Sequence, residues 1–198
     1  MLNKIEINRR IQESVVDYCH KLHAIYSKLL VVRVDLGYVK KFAHQCGLLD
    51  IKRDIKHMLD NRRGSRTLFE HLVGYVVKYE FTKEKGPHAH ALFFYDGQKV
   101  CKDEHYGQKI GKYWIEKIAK GNGVFYSCNY DKDQYEQCGI GMIDHSDFVK
   151  RAVLEEKVIG YMLKAEQSIN DIKQTGRERS ITRGVPPRNR SCAGRPRR

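Results

Sequence analysis

The sequence predicts an α+β protein: a central antiparallel sheet of about five strands with helices packed on one face. Three observations carry this. Two arms rich in Val, Tyr and Phe, Val73–Phe81 and His88–Tyr95, flank the turn residues Lys85-Gly86-Pro87 and read as a β-hairpin. Leu29–Leu36 is a nearly continuous aliphatic run, the pattern of a strand buried on both faces. Stretches near either end repeat apolar residues at three- and four-residue steps, as amphipathic helices do. A chain of 198 residues can bury a proper core. The expected organisation is an N-terminal helix in residues 1–28, a main domain over 29–170 and a basic, disordered tail over 171–198.

Taken in order, Ile11, Val15, Tyr18, Leu22, Ile25 and Leu29 mark the apolar stripe of a first helix over about Asn8–Ser27. Cys19, His20 and His23 lie along it, and packing or surface roles suit them better than metal binding. Arg33 and Asp35 interrupt the aliphatic run, where a strand-end ion pair and support of a nearby site are both open. Lys40–Asn61 reads as one or two basic helices, closed by the loop Asn61-Arg62-Arg63-Gly64-Ser65. Beyond the hairpin, Asp96-Gly97 turns the chain. Ile110, Tyr113, Trp114 and Ile118 then give helical spacing over about Tyr106–Lys120. Gly107-Gln108-Lys109-Ile110-Gly111-Lys112 is not a phosphate loop, because that pattern needs four residues between its glycines and Ser or Thr after its Lys. Gly123–Asn129 and Gly139–Ile143 read as two more strands about the acidic turn Asp131-Lys132-Asp133, and His105 and His145 as solvated or hydrogen-bonded histidines.

The last helix is expected from Ser146, with Ser146 or Asp147 as its cap, to about Ser168. Phe148, Ala152, Ile159, Met162 and Leu163 fall on one side of it, and Tyr161 on nearly the opposite side with Lys150, Lys157 and Lys164. From Gly176 to Arg198 there are eight arginines, one acid and three prolines, too little apolar bulk for a core.

Charge narrows the partners. With 37 Lys and Arg against 24 Asp and Glu, the chain carries +13 and an isoelectric point near 9.5, which favours a polyanion such as nucleic acid or an anionic membrane surface. No apolar run approaches the roughly 20 residues that span a bilayer. The start, Met1-Leu2-Asn3-Lys4-Ile5-Glu6, has no secretory apolar segment, so a cytoplasmic protein with no membrane partner is expected. Six scattered cysteines without a Cys-x-x-Cys pair fit reduced thiols better than disulfides or a zinc site.

The hairpin carries the chemistry. Side chains alternate along a strand, so His88 and His90 project together while Ala89 points away. A register pairing even with even positions sets Glu80 on their face, giving two nitrogens and one oxygen around a cation with positions left open.

Glu80 followed by Gly86-Pro87-His88-Ala89-His90 resembles the metal motif of the HUH endonucleases, in which two His flank one hydrophobic residue. Val31-Val32-Arg33-Val34-Asp35-Leu36 resembles the strand those proteins carry first, and Tyr161-Met162-Leu163-Lys164 is similar to their Tyr-x-x-Lys nicking motif. The motifs stand in the family's order. Within the superfamily, Arg-Val-Asp-Leu-Gly-Tyr and Gly-Tyr-Met-Leu-Lys-Ala look most like the inoviral gene-two and prophage YagK/YfjJ type, over about Leu29–Gln167.

The resemblance implies an RRM-like endonuclease domain over 29–170, with the metal and Tyr161 meeting on the sheet face opposite the helices. It implies Mg²⁺ or Mn²⁺ held by Glu80, His88 and His90, Tyr161 as the nucleophile and Lys164 as the residue that steadies the phosphate. The implied activity is nicking and rejoining of single-stranded or locally melted origin DNA through a 5′-phosphotyrosine, as a rolling-circle replication initiator working with a host helicase and polymerase. Two other readings stand beside it: a single-tyrosine transposase or relaxase on the same scaffold, and a DNA-binding regulator without catalysis.

Overall fold

The computed structural model describes residues 4–163 and 179–187. Helix α1 (Lys4–Ile25) leads into strand β1 (Lys28–Tyr38), and helices α2 (Lys40–Ala43), α3 (Leu48–Asp60) and α4 (Arg66–Phe69) precede the hairpin of β2 (Leu72–Thr82) and β3 (Gly86–Asp96). Helix α5 (Asp103–Tyr113) runs on as a π-helical segment, Trp114–Ile118, into β4 (Gly123–Ser127) and then β5 (Gly141–Asp144). The last helix is α6 (Phe148–Val153), a second π segment (Leu154–Ile159) and α7 (Gly160–Met162); strand β6 (Ile181–Arg183) follows.

All pairings are antiparallel, in the order β4-β1-β3-β2-β6. The outer edge of β1 is shared: β5 pairs Lys28–Val31 and β4 pairs Val34–Tyr38. The sixth strand lies within the 171–198 stretch expected to be disordered. Ile181–Arg183 lie against Val76–Lys78, and Tyr79 N–H donates to Ser180 C=O at 2.8 Å. Pairing with a sheet edge satisfies backbone groups and needs no apolar bulk, so a composition argument misses it, although Ile181 and Thr182 are β-branched. Residues 164–178 and 188–198, Lys164 among them, lie outside the described residues.

Helices cover both faces of the sheet, not one. Leu30, Val32, Val34, Leu36, Val77, Ala91 and Phe93 pack under α3, α4 and α5. Leu29, Val31, Val76, Leu92 and Phe94 pack under α1 and the last helix. The physical reason is in β1 and β3 themselves, which are apolar at odd and even positions alike and so need cover on each side.

The last helix also differs in phase from expectation. Asp147 caps it, its side chain accepting from Lys150 N–H at 2.9 Å. Yet Phe148 is 72% exposed and Ala152 is exposed, because the first turns run clear of the core; burial begins at Leu154 and continues through Val158, Ile159, Met162 and Leu163. There the loop before β5 passes against the helix backbone. A Cβ at Gly139 would sit 2.6 Å from Leu154 N, so only glycine fits.

Candidate metal centre

On the face under α1, the three central strands change character part-way along. Leu29 and Val31 give way to Arg33 and Asp35 on β1, Phe94 and Leu92 to His90 and His88 on β3, and Val76 to Lys78 and Glu80 on β2. The register collects the polar set: Glu80 opposes His88, Lys78 opposes His90, and Asp35 opposes His90 from the other side. Directly opposed residues on antiparallel strands share a face, so the even pairing predicted for the hairpin brings the carboxylate to the two imidazoles.

Glu80 Oε2 lies 3.3 Å from His90 Nε2 and 3.5 Å from His88 Nε2. One ligand atom from each of Glu80, His88 and His90 falls within 4.8 Å of the others, close enough to hold a metal ion. The far nitrogen of each ring lies against an oxygen. His88 Nδ1 donates to Gly86 C=O at 2.9 Å, and His90 Nδ1 faces Asp35 Oδ1 at 2.7 Å. Gly86 can present that carbonyl because it takes φ +68°, and a Cβ there would come 2.9 Å from Ala43 Cβ. Anchoring Nδ1 to an acceptor while Nε2 points inward is how metal-bound histidines are oriented. Two imidazoles and a carboxylate so placed fit a divalent cation.

The electrostatics are strong because the group is buried: Glu80 is 3% exposed and His88 8%. Burial opposes ionisation of Glu80, but His88, His90 and Lys78 outweigh it and hold the carboxyl at about 2. Burial likewise disfavours a charged His90, yet Asp35 and Glu80 push its pKa up to about 9. A cation bound here must displace that proton.

Tyr161, on α7 at the end of the last helix, is 59% exposed. The Arg33 guanidinium lies 5.4 Å from its ring centroid, and Arg33 Nε lies 3.9 Å from Asp35 Oδ1. Lys78 Nζ, 3.5 Å from Glu80 Oε1, also donates to Met162 C=O at 3.2 Å. The helix end that carries Tyr161 thus touches the polar group at two points. Arg33 is itself clamped: its N–H donates to Asn129 Oδ1 at 2.7 Å and its carbonyl accepts from Cys128 N–H at 3.0 Å.

Of the residues singled out from sequence, Glu80, His88 and His90 come together. Tyr161 stands on their face of the sheet, reached through Arg33 and Asp35, and Lys164 lies outside the described residues. Arg33 and Asp35 turn out to be both an ion pair and braces of the site. Sequence reasoning missed Lys78, whose signal was a single charge inside an apolar strand two residues before Glu80. His145 and His23 belong to no metal-competent group among the described residues.

Fold and site together define an α+β protein with a two-histidine, one-carboxylate group able to hold a metal ion. The chain belongs to the YagK/YfjJ C-terminal domain family, whose profile matches residues 6–178. No curated protein and no solved structure matches it. No helix among the described residues is long and apolar enough to cross a membrane.

Proposed function

We propose that the chain is a metal-dependent HUH endonuclease and strand transferase, a rolling-circle replication initiator that nicks and rejoins single-stranded DNA through Tyr161. What supports this most is the convergence of Glu80, His88 and His90 beneath the helix end bearing Tyr161, with Arg33 beside the Tyr161 ring and ion-paired to Asp35, which holds His90. Mg²⁺ or Mn²⁺ held by the triad would supply Lewis-acid relief of the charge on the phosphate oxygens.

The chain's own residues do the rest. The Tyr161 hydroxyl oxygen forms a bond to phosphorus as the bond from phosphorus to the 3′ oxygen breaks. Tyr161 gives up its proton and the leaving oxygen takes one, which yields a 5′-phosphotyrosine and a free 3′ hydroxyl. Attack by that hydroxyl reverses the step, so resealing consumes no ATP. Arg33 holds the ring and offers a positive charge where the phosphate enters, and Lys164 would steady the phosphate. Unwinding and synthesis fall to a host helicase and polymerase.

The test uses end-labelled single strands tiled across the replicon that encodes the chain. With Mn²⁺ or Mg²⁺, one strand is expected to be cut, leaving protein on its 5′ end, and EDTA is expected to stop the reaction. Cutting that continues in EDTA with the His88→Ala variant would overturn the metal assignment. Failure to cut any strand with any metal would favour a binding protein. Insertion of the cut end elsewhere, in place of resealing, would favour the transposase.

A further inference from the structure

Strand β4 lies at the sheet edge beyond β1, and its side chains alternate: Gly123 and Ser127 are buried, Val124 and Tyr126 exposed. The register sets Tyr126 opposite Asp35 and Val124 opposite Gly37. Tyr126 therefore shares the face and the rung of Asp35, His90 and Lys78. Val124 continues the next rung, where a Cβ on Gly37 would meet both Val124 Cγ2 at 3.7 Å and His88 Cβ at 3.5 Å. Two interstrand spacings, roughly 10 Å, separate β4 from the strand carrying His88 and His90.

The Tyr126 ring is fixed in place yet packs on no core. Its hydroxyl donates to Asp131 Oδ2 at 2.7 Å, a bond that pushes the phenol up to about 12 and keeps its proton on. The side chain is 49% exposed and belongs to neither apolar cluster. Edge strands ordinarily carry charge outward as protection against unwanted pairing, so a fixed, exposed aromatic beside a cation site asks for a ligand.

We propose that Tyr126 is a base-stacking ledge: a base flanking the phosphate at Glu80, His88 and His90 lies on its ring, with Val124 as apolar floor. The proposal rests on the single-strand reading above and names how the substrate is held. A strand whose phosphate sits at the triad and which extends over β1 reaches β4 next. The chain's charge of +13 suits the polyanion, and the flat face of Tyr accepts any base. Such a contact would hold the strand without choosing its sequence.

The experiment compares oligo(dT) of about 20 nucleotides with an abasic deoxyribose-phosphate strand of equal length, by fluorescence anisotropy on the full chain. The wild-type protein is expected to prefer the base-bearing strand. Tyr126→Ala is expected to reduce that preference about tenfold, within the range that base stacking supplies. Tyr126→Phe, which keeps the ring, retains the preference; Tyr126→Leu, which keeps bulk without a π face, loses it like Tyr126→Ala. An unchanged preference in Tyr126→Ala, or equal weakening for both strands, would overturn the ledge. So would a wild-type protein that binds the two strands alike while still forming the Tyr161 adduct, and in that case the nuclease reading would stand. Binding of neither strand would bring down both.

Discussion

The same three strands, on the same face, build two unlike regions a single side-chain step apart. Where β1, β2 and β3 carry Leu29, Val31, Val76, Leu92 and Phe94, the face is closed under α1 and the last helix. Phe94 is fully buried and meets Tyr18 edge to face at 6.4 Å. Two residues further along each strand, Arg33, Lys78 and His90 begin a region in which charged groups are buried against one another. The apolar half contributes stability by leaving water. The polar half gives up much of that contribution, since taking charges out of water costs several kcal/mol per ion that pairing only partly returns. Stability and chemistry are therefore separable along one strand, and substitutions can test the separation.

The largest effect is expected from His88→Ala. Losing the charge relief a Lewis acid supplies, several kcal/mol, should slow nicking about a thousandfold or more, with thermal unfolding in EDTA moved far less than by a core deletion. Phe94→Ala is the converse. It should destabilise by about 3–5 kcal/mol in chemical denaturation, while the folded fraction still takes up Mn²⁺. If Phe94→Ala abolished metal uptake by folded protein, the two halves would not be independent.

Asp35→Asn probes the link between metal and support. Its expected effect is a 10- to 100-fold weaker Mn²⁺ affinity, measured by titration calorimetry, because a neutral amide replaces the negative charge that faces His90 Nδ1.

The smallest effect is a difference in pH response. His23, on α1 over the closed half, is 4% exposed and neither ring nitrogen has a hydrogen-bond partner. Burial, with Arg151 nearby, pulls its pKa down to about 4. Its folded value lies below the unfolded one near 6.5, so the unfolded chain binds more protons between them; its contribution is whole above about 6.5 and is lost as pH falls through 4. His90 has the opposite sign. With a folded value of about 9, its contribution is whole below about 6.5 and is lost as pH rises through 9. Thermal unfolding across pH in EDTA should show the acid limb flattened by His23→Leu and the alkaline limb flattened by Asp35→Asn.

The sequence made the hairpin and its triad legible because both follow from the two-residue period of a strand, although the turn falls at Lys83-Glu84-Lys85 and the Gly86-Pro87 that marked it already pair within β3. The first helix and the aliphatic strand came through because each is a local pattern, one periodic and one a continuous apolar run, and the α+β class follows from them. What stayed hidden depends on which distant segment covers which surface. Cover on both faces, the late start of burial in the last helix at Leu154 and the pairing of Ile181–Arg183 with β2 are tertiary outcomes. Lys78 showed only as a lone charge in an apolar strand, since one of its partners, Met162 C=O, is 84 residues away. Arg33 and Asp35 showed as anomalies in an apolar run, but what they brace lies on other elements.

The claim at the centre is that Tyr161 becomes joined to DNA at the triad. The direct measurement is mass spectrometry of the nuclease-trimmed, protease-digested adduct formed with Mn²⁺ on the cleaved strand. The expected result is a nucleotide on Tyr161 alone, absent from the Tyr161→Phe variant and from protein treated with EDTA. A nucleotide on Tyr135, Tyr126 or any other residue, or strand cleavage that leaves no adduct, would contradict the account.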